Sequence, residues 1–289
     1  VRAGSGNEAT FRFYGELNDF FPVEERQWEV VHEFLGVPAV KDAIEALGVP
    51  HVEVDLVVVN GESVDFSHRL RSGDRVAAYP VFESLDIAPL VRLRERPLRG
   101  VAFVADAHLG KLARLLRLLG FDTLHSSGYR DEEIVRMSAG ERRVLLTRDR
   151  ELLKRGAVIH GYFVRSGDPL EQAREVVRRF DLAGQVAPFR RCLACNGALA
   201  SVRKEEVFLR IPPKVRLWRE EFFLCEACGR LYWRGTHYPK LEAKIAWILG
   251  SSGSQGGGGK VSSGLNGASR QRGETLGIMN GATLQGGKG

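Results

Sequence analysis

The apolar positions of residues 10–80 change period twice. Thr10 to Tyr14 alternates, placing Phe11 and Phe13 on one face, which is the period of a half-buried strand. Gln27 to Phe34 reads as a second strand. After Pro38 the spacing becomes helical: Val40, Ala43, Ile44 and Leu47 share one face, and Gly48 follows as a stop. Val54 to Val59 is apolar and β-branched, Asn60-Gly61 is a strong hairpin signal, and Arg75 to Tyr79 closes the unit before Pro80. The pattern predicts a small α+β domain over residues 1–92, and its order of strand, strand, helix, strand, hairpin, strand suits a β-grasp.

Residues 91–97 are charged, contain Pro97, and read as a linker or the first turn of the next domain. From residue 100 the pattern alternates strand and helix. Val101 to Ala105 is an apolar strand ending at Asp106, and Leu109, Leu112, Leu115, Leu116 and Leu119 form a helical stripe that stops at Gly120. Strands over 122–125, 143–147 and 158–164 alternate with helices over 131–139, 150–155 and 169–180. Repeated strand–helix units predict an α/β domain at 93–190, a parallel sheet with helices on both faces. Its site is expected beyond the C-terminal ends of the strands. Residues 191–249 hold all four cysteines, and residues 250–289 hold 14 glycines among 40 residues, a composition expected to stay disordered.

Composition adds a location and a charge asymmetry. No apolar run approaches the roughly 18 residues a membrane helix needs, and the first fifteen residues lack a secretory stretch, so a cytoplasmic protein is expected. Val1 stands where an initiator Met is usual, which suggests a trimmed or non-ATG start. Residues 1–90 carry 7 basic and 16 acidic side chains, a net of −9, whereas residues 91–289 carry 35 and 20, a net of +15. A basic half suits a polyanion partner, though a solvated basic surface has the same composition.

The candidate chemistry follows from two sets of residues. Parallel topology brings Asp106 and Asp149 to one sheet edge. Asp131 opens a helix beside Glu132 and Glu133, and Glu151 lies two residues past Asp149. Hard divalent cations take several carboxylate oxygens at one point and can assist phosphodiester cleavage. The competing role is capping, since Asp131 and Asp149 each precede a helix. Asp106 ends an apolar strand, where an unpaired carboxylate is costly. Nearby, Lys111, Arg114 and Arg117 recur opposite the leucine stripe and Arg148 precedes Asp149. They are candidate phosphate ligands or, for Arg117 above all, a solvated helix face. His108 and His125 read as structural.

Cys192-x-x-Cys195 and Cys225-x-x-Cys228 form two knuckles that suit one tetrahedral zinc of structural type, with disulfides and a redox pair as rivals. Gly197 and Gly229 suit the tight turns after them. The 29 residues between the knuckles include Ile211-Pro212-Pro213-Lys214, which reads as a loop joining two hairpin arms. Four thiolates saturate the ion without His237. Trp218, Phe222, Phe223, Tyr232 and Trp233 lie among arginines and lysines, an arrangement suited to unstacked RNA bases or to a small aromatic core.

Two resemblances extend this reading. Val57 to Phe82 (VVVNGESVDFSHRLRSGDRVAAYPVF) resembles the ubiquitin-like sulfur carriers. Those end in a diglycine, whereas this chain continues into FESLDIAPLVRL, which argues for a binding or regulatory module. Asp106 onward (DAHLGKLARLLR), Asp131 onward (DEEI), Leu145 onward (LLTRDREL) and Tyr232 onward (YWRGTHY) resemble the PIN-like RNase domain found at the C-terminus of the Mut-seven exonuclease, which in bacteria often follows a β-grasp domain. The resemblance implies Asp106, Asp131 and Asp149 as ligands of Mg²⁺ or Mn²⁺. It also implies Glu151 as a further acidic position and Thr147 as a polar residue beside them. The expected protein is a metal-dependent ribonuclease, an endoribonuclease first, with RNA as partner and a protein partner for the β-grasp domain. The rivals are a non-catalytic RNA-binding adaptor and a sulfur-carrier accessory protein.

Overall fold

The structure is a computed structural model that describes residues 7–80, 101–236 and 238–250. The expectations placed on the 91–97 linker, on the chain after Pro80, on His237 and on the 251–289 tail lie outside the described residues. The described residues up to Ala113, with Thr123–Arg165 and Arg179–Asp181, form one compact unit. Arg114–Asp122, Ser166–Arg178 and the described residues from Leu182 onward form another.

The first unit opens with the β-grasp: β1 (Asn7–Phe13), β2 (Glu29–Phe34), α1 (Val40–Ala46), β3 (Val54–Val59), β4 (Glu62–Val64) and β5 (Arg75–Pro80). The sheet order is β2-β1-β5-β3-β4, with β1 and β5 parallel and the other pairs antiparallel. Phe11, Phe13, Val57, Val76 and Ala78 face Val40, Ala43 and Ile44 of α1 in one buried cluster. The strand β1 begins three residues before the apolar alternation, because its N-terminal half pairs with β2 from Asn7↔Phe34 onward. Asn60 and Gly61 both have positive φ, 51° and 93°, as the tight hairpin requires. Short 3-10 turns at Gly15–Phe20, Val23–Glu25 and His51–Glu53 had no periodic signature in the sequence.

A four-stranded parallel sheet follows, formed by β6 (Phe103–Ala105), β7 (Thr123–Leu124), β8 (Val144–Thr147) and β9 (Gly161–Phe163). Its order is β7-β6-β8-β9. Helices α2 (Gly110–Leu118), α3 (Asp131–Gly140), α4 (Arg150–Lys154) and α5 (Pro169–Arg179) follow these strands in the chain. Every residue of β6 and β8 is buried, as a strand covered on both faces must be. The strand expected at 122–125 contracts to two residues. Asp122 turns away to bond Asn196 and Arg191, and His125 leaves the sheet to bond Ala107 O.

The second unit carries the cysteines on an antiparallel sheet, β10 (Leu199–Val202), β11 (Phe222–Cys225) and β12 (Leu231–Tyr232), in that order. Val207, Ile211, Phe222, Leu231 and Trp233 form its core. The segment between the arms is not a plain loop: α6 (Lys204–Val207) and α7 (Pro213–Arg216) interrupt it, and Pro213 sits at the first turn of α7, where its missing N–H costs nothing. A final helix, α8 (Tyr238–Ile248), closes the described chain.

Candidate active site and metal centre

Because all four strands run the same way, Asp106, His125, Thr147 and Phe163 end or follow their strands at one edge of the sheet. Thr147 is fully buried there. Its hydroxyl donates to Asp106 Oδ2 at 2.7 Å and accepts the backbone N–H of Asp149 at 2.9 Å, using both roles a hydroxyl offers. Asp106 is 9% exposed, and its backbone N–H bonds Leu146 O at 2.9 Å. Among the described residues its Oδ1 accepts only a long bond, 3.4 Å, from His108 N. Asp149 caps α4 by accepting Glu151 N on Oδ1 at 2.8 Å, and its Oδ2 has no partner among the described residues. The edge therefore holds one nearly buried and one exposed carboxylate, and a buried hydroxyl joins the first of them to the backbone of the residue that bears the second.

The remaining expected residues divide. Asp131 opens α3 and pairs with Arg155 at 3.1 Å, while Arg155 also reaches Glu132 at 3.5 Å. Glu151 is exposed and pairs with Lys154 at 2.8 Å. Among the described residues, Asp106, Asp131 and Asp149 do not form a group with ligand atoms within 4.8 Å of one another. Lys111, Arg114 and Arg148 are exposed, as phosphate ligands must be. Arg117 is not on a solvated face: it is 5% exposed and donates to the carbonyls of Leu193 and Ala194 at 3.3 and 3.1 Å, inside the first cysteine knuckle. His108 is exposed. His125 is structural, bonded to Ala107 O at 3.1 Å and packed so closely on Gly110 that a Cβ there would lie 2.9 Å from the ring.

The four sulfurs all lie within 4.8 Å of one another, and none forms a disulfide. Sγ of Cys192 lies 3.6 Å from that of Cys228, and Cys195 lies 3.4 Å from Cys225. A tetrahedral ion with thiolates at roughly 2.3 Å sets its sulfurs about 3.8 Å apart, so the group has the size one ion requires. Burial opposes the Cys192 thiolate, but hydrogen bonds from Tyr232 and from the Cys195 and Ala194 backbones outweigh it and bring the pKa down to about 6. Burial pushes Cys195 up to about 12. The Tyr232 hydroxyl, 3.0 Å from Cys192 Sγ, is a partner the cysteine spacing does not reveal. The left-handed residue of the first knuckle is Asn196 (φ 70°) and not Gly197. Gly197 is needed for a different reason: a Cβ there would stand 3.0 Å from Cys225 Sγ and 2.8 Å from Ala227 Cβ. The aromatic residues split between roles. Phe222, Tyr232 and Trp233 are core, Phe223 stacks on Phe189 at 4.8 Å, and Trp218 is 79% exposed beside exposed Leu217.

Among the described residues, no helix is long and apolar enough to cross a membrane. No curated protein matches the chain. Two solved structures of small archaeal modifier protein 1 from Haloferax volcanii are similar to it. One is 21% identical, covering 26% of this chain and 98% of that one at a TM-score of 0.22. The other is 20% identical, covering 27% and 99% at 0.23. The family described as Mut7-C ubiquitin matches residues 6–86, and the Mut7-C RNAse domain matches residues 101–245, half the chain. With the parallel sheet, the acidic edge and the four-cysteine ribbon lying inside that second match, the chain belongs to the Mut7-C RNAse domain family, preceded by that family's ubiquitin-like domain.

Proposed function

We propose that the protein is a metal-dependent ribonuclease, acting as an endoribonuclease, with its chemistry at the C-terminal edge of the parallel sheet. The observation that carries this is Thr147. A buried hydroxyl binding both Asp106 and the Asp149 backbone locks two adjacent strand ends with their carboxylates at one edge. Asp106 and Asp149 would hold Mg²⁺ or Mn²⁺, oxygen-seeking cations that suit this donor set. Asp131 and Glu151 would add to it, Asp131 by exchanging Arg155 for the ion. Such a cation supplies neutralisation of the phosphate charge and activation of a water. Lys111, Arg114 and Arg148 bind backbone phosphates without reading bases. Exposed Trp218, with Lys214, Arg216 and Arg219 around it, stacks single-stranded RNA.

The cysteines hold a zinc in a closed, structural site. Thiols kept for a metal fit a reducing compartment, the cytoplasm. Exposed Trp28, Val31 and Leu35, on and beside the edge strand β2, give the β-grasp domain a face for a protein partner. The second reading is an RNA-binding adaptor, supported by Asp149 acting as a cap and Asp131 as an ion-pair partner. Crystals soaked in Mn²⁺ separate the two. An ion held by Asp106 and Asp149 supports the nuclease, and an edge that takes no ion supports the adaptor.

A further inference from the structure

Glu53 belongs to the β-grasp domain, yet its partners belong to the nuclease sheet. Its side chain is fully buried, and a buried carboxylate is costly unless paired and hydrogen-bonded. Oε1 accepts the backbone N–H of Phe163 at 2.6 Å, and Oε2 accepts from the Arg165 guanidinium at 3.3 Å. Phe163 lies in β9, the edge strand of the parallel sheet, so Glu53 satisfies an N–H that β8 does not reach. Burial works against the charge of Arg165, but Glu53, Tyr162 and Glu16 hold its pKa above the ordinary value. Arg165 also meets Asp19 at 3.0 Å.

The apolar contacts follow the same line. Val52 lies in the buried cluster of Val104, Leu145, Leu152, Leu153 and Val158. Phe163 packs against that cluster and against the β-grasp core as well. Gly161 permits the approach, since a Cβ there would come within 2.7 Å of Leu153 and 3.1 Å of Val52. Arg150 immediately follows Asp149. It donates to Phe20 O at 2.9 Å and lies over the rings of Phe20 and Phe163 at 5.1 and 5.5 Å.

We propose that the ubiquitin-like domain is a fixed wall of the nuclease fold and not a detachable carrier, and that through Arg150 it positions the Asp149 turn. Arg150 opens α4 and Asp149 caps it, so a guanidinium anchored on Phe20 holds the cap in place. Arg150 is a positioning residue; its effect on rate rests on the nuclease reading, whereas its effect on the turn does not.

The test is amide hydrogen exchange and RNA cleavage on the full chain, for wild type, Arg150→Met and Arg150→Lys. Met keeps the aliphatic stem and loses the bond to Phe20, which is expected to speed exchange over residues 149–152 about tenfold. Exchange at Phe11 and Val76 stays at the wild-type rate. The kcat on a labelled single strand with Mn²⁺ falls by a similar factor at unchanged KM, and Lys recovers part of both. Wild-type exchange at the turn in Arg150→Met overturns the proposal, as does faster exchange with unchanged kcat in an active enzyme. Faster exchange in a wild type that leaves RNA uncut upholds the positioning and removes the nuclease reading instead. If Arg150→Met does not fold, Arg150→Lys carries the comparison, with a smaller rise in exchange expected at the turn and wild-type exchange there overturning the proposal.

Discussion

At the scale of single residues, one hydroxyl joins two strand ends. Thr147 was legible in the sequence as a polar residue closing a buried strand, and its two bonds give that polarity a purpose. Thr147→Val keeps the shape and strands the Asp149 N–H and one oxygen of Asp106. Leaving buried polar groups unpaired costs about 1–3 kcal/mol. Urea unfolding of Thr147→Val should show a loss of that order, with cleavage reduced further because the two strand ends are no longer tied. Thr147→Ser should retain both. A wild-type midpoint and rate for the valine variant would mean that the hydroxyl holds nothing. Arg117 shows where reading by residue stops. Its spacing after Lys111 and Arg114 places it away from the leucines, but spacing says nothing about the knuckle that covers it.

At the scale of elements, strands with strong local patterns were legible. Val54–Val59 matches its β-branched run residue for residue, and Val144–Thr147 is the buried strand its composition implies. The helical turns between the knuckles were not, since four-residue helices carry no periodicity and Pro212-Pro213 reads as a breaker. The pairing of Glu53 with Phe163 spans 110 residues and leaves no trace in a single sequence. The cysteine ribbon was the most legible element, because two C-x-x-C knuckles state their own chemistry. The purified chain should carry about one zinc, measured by elemental analysis, and Cys192→Ser should lose it. Purified, folded chain free of zinc and with reactive thiols would contradict the ribbon. Arg117→Ala should leave the stoichiometry unchanged but speed zinc transfer to a chelator, because the Leu193 and Ala194 carbonyls lose their buried donor. Transfer at the wild-type rate would remove Arg117 from the support of the knuckle.

At the scale of the whole molecule, charge and architecture divide the work. The basic residues concentrate after residue 90, and Glu53 of the acidic β-grasp domain bonds the edge strand of the parallel sheet. RNA affinity should therefore fall steeply with salt, as phosphate contacts release counterions. A flat salt response would exclude an electrostatic footprint. Catalysis by a cation held on the edge carboxylates is isolated by one comparison. Asn keeps the size and capping ability of Asp but removes the charge a hard cation needs. Cleavage of a labelled single-stranded RNA is compared for wild type, Asp106→Asn and Asp149→Asn, in Mn²⁺ and after chelation that leaves the cysteine-bound metal in place. Cleavage by the wild type that Mn²⁺ restores after chelation is expected, and none by either variant, with RNA binding and folding preserved in all three. Equal cleavage by all three proteins would contradict it.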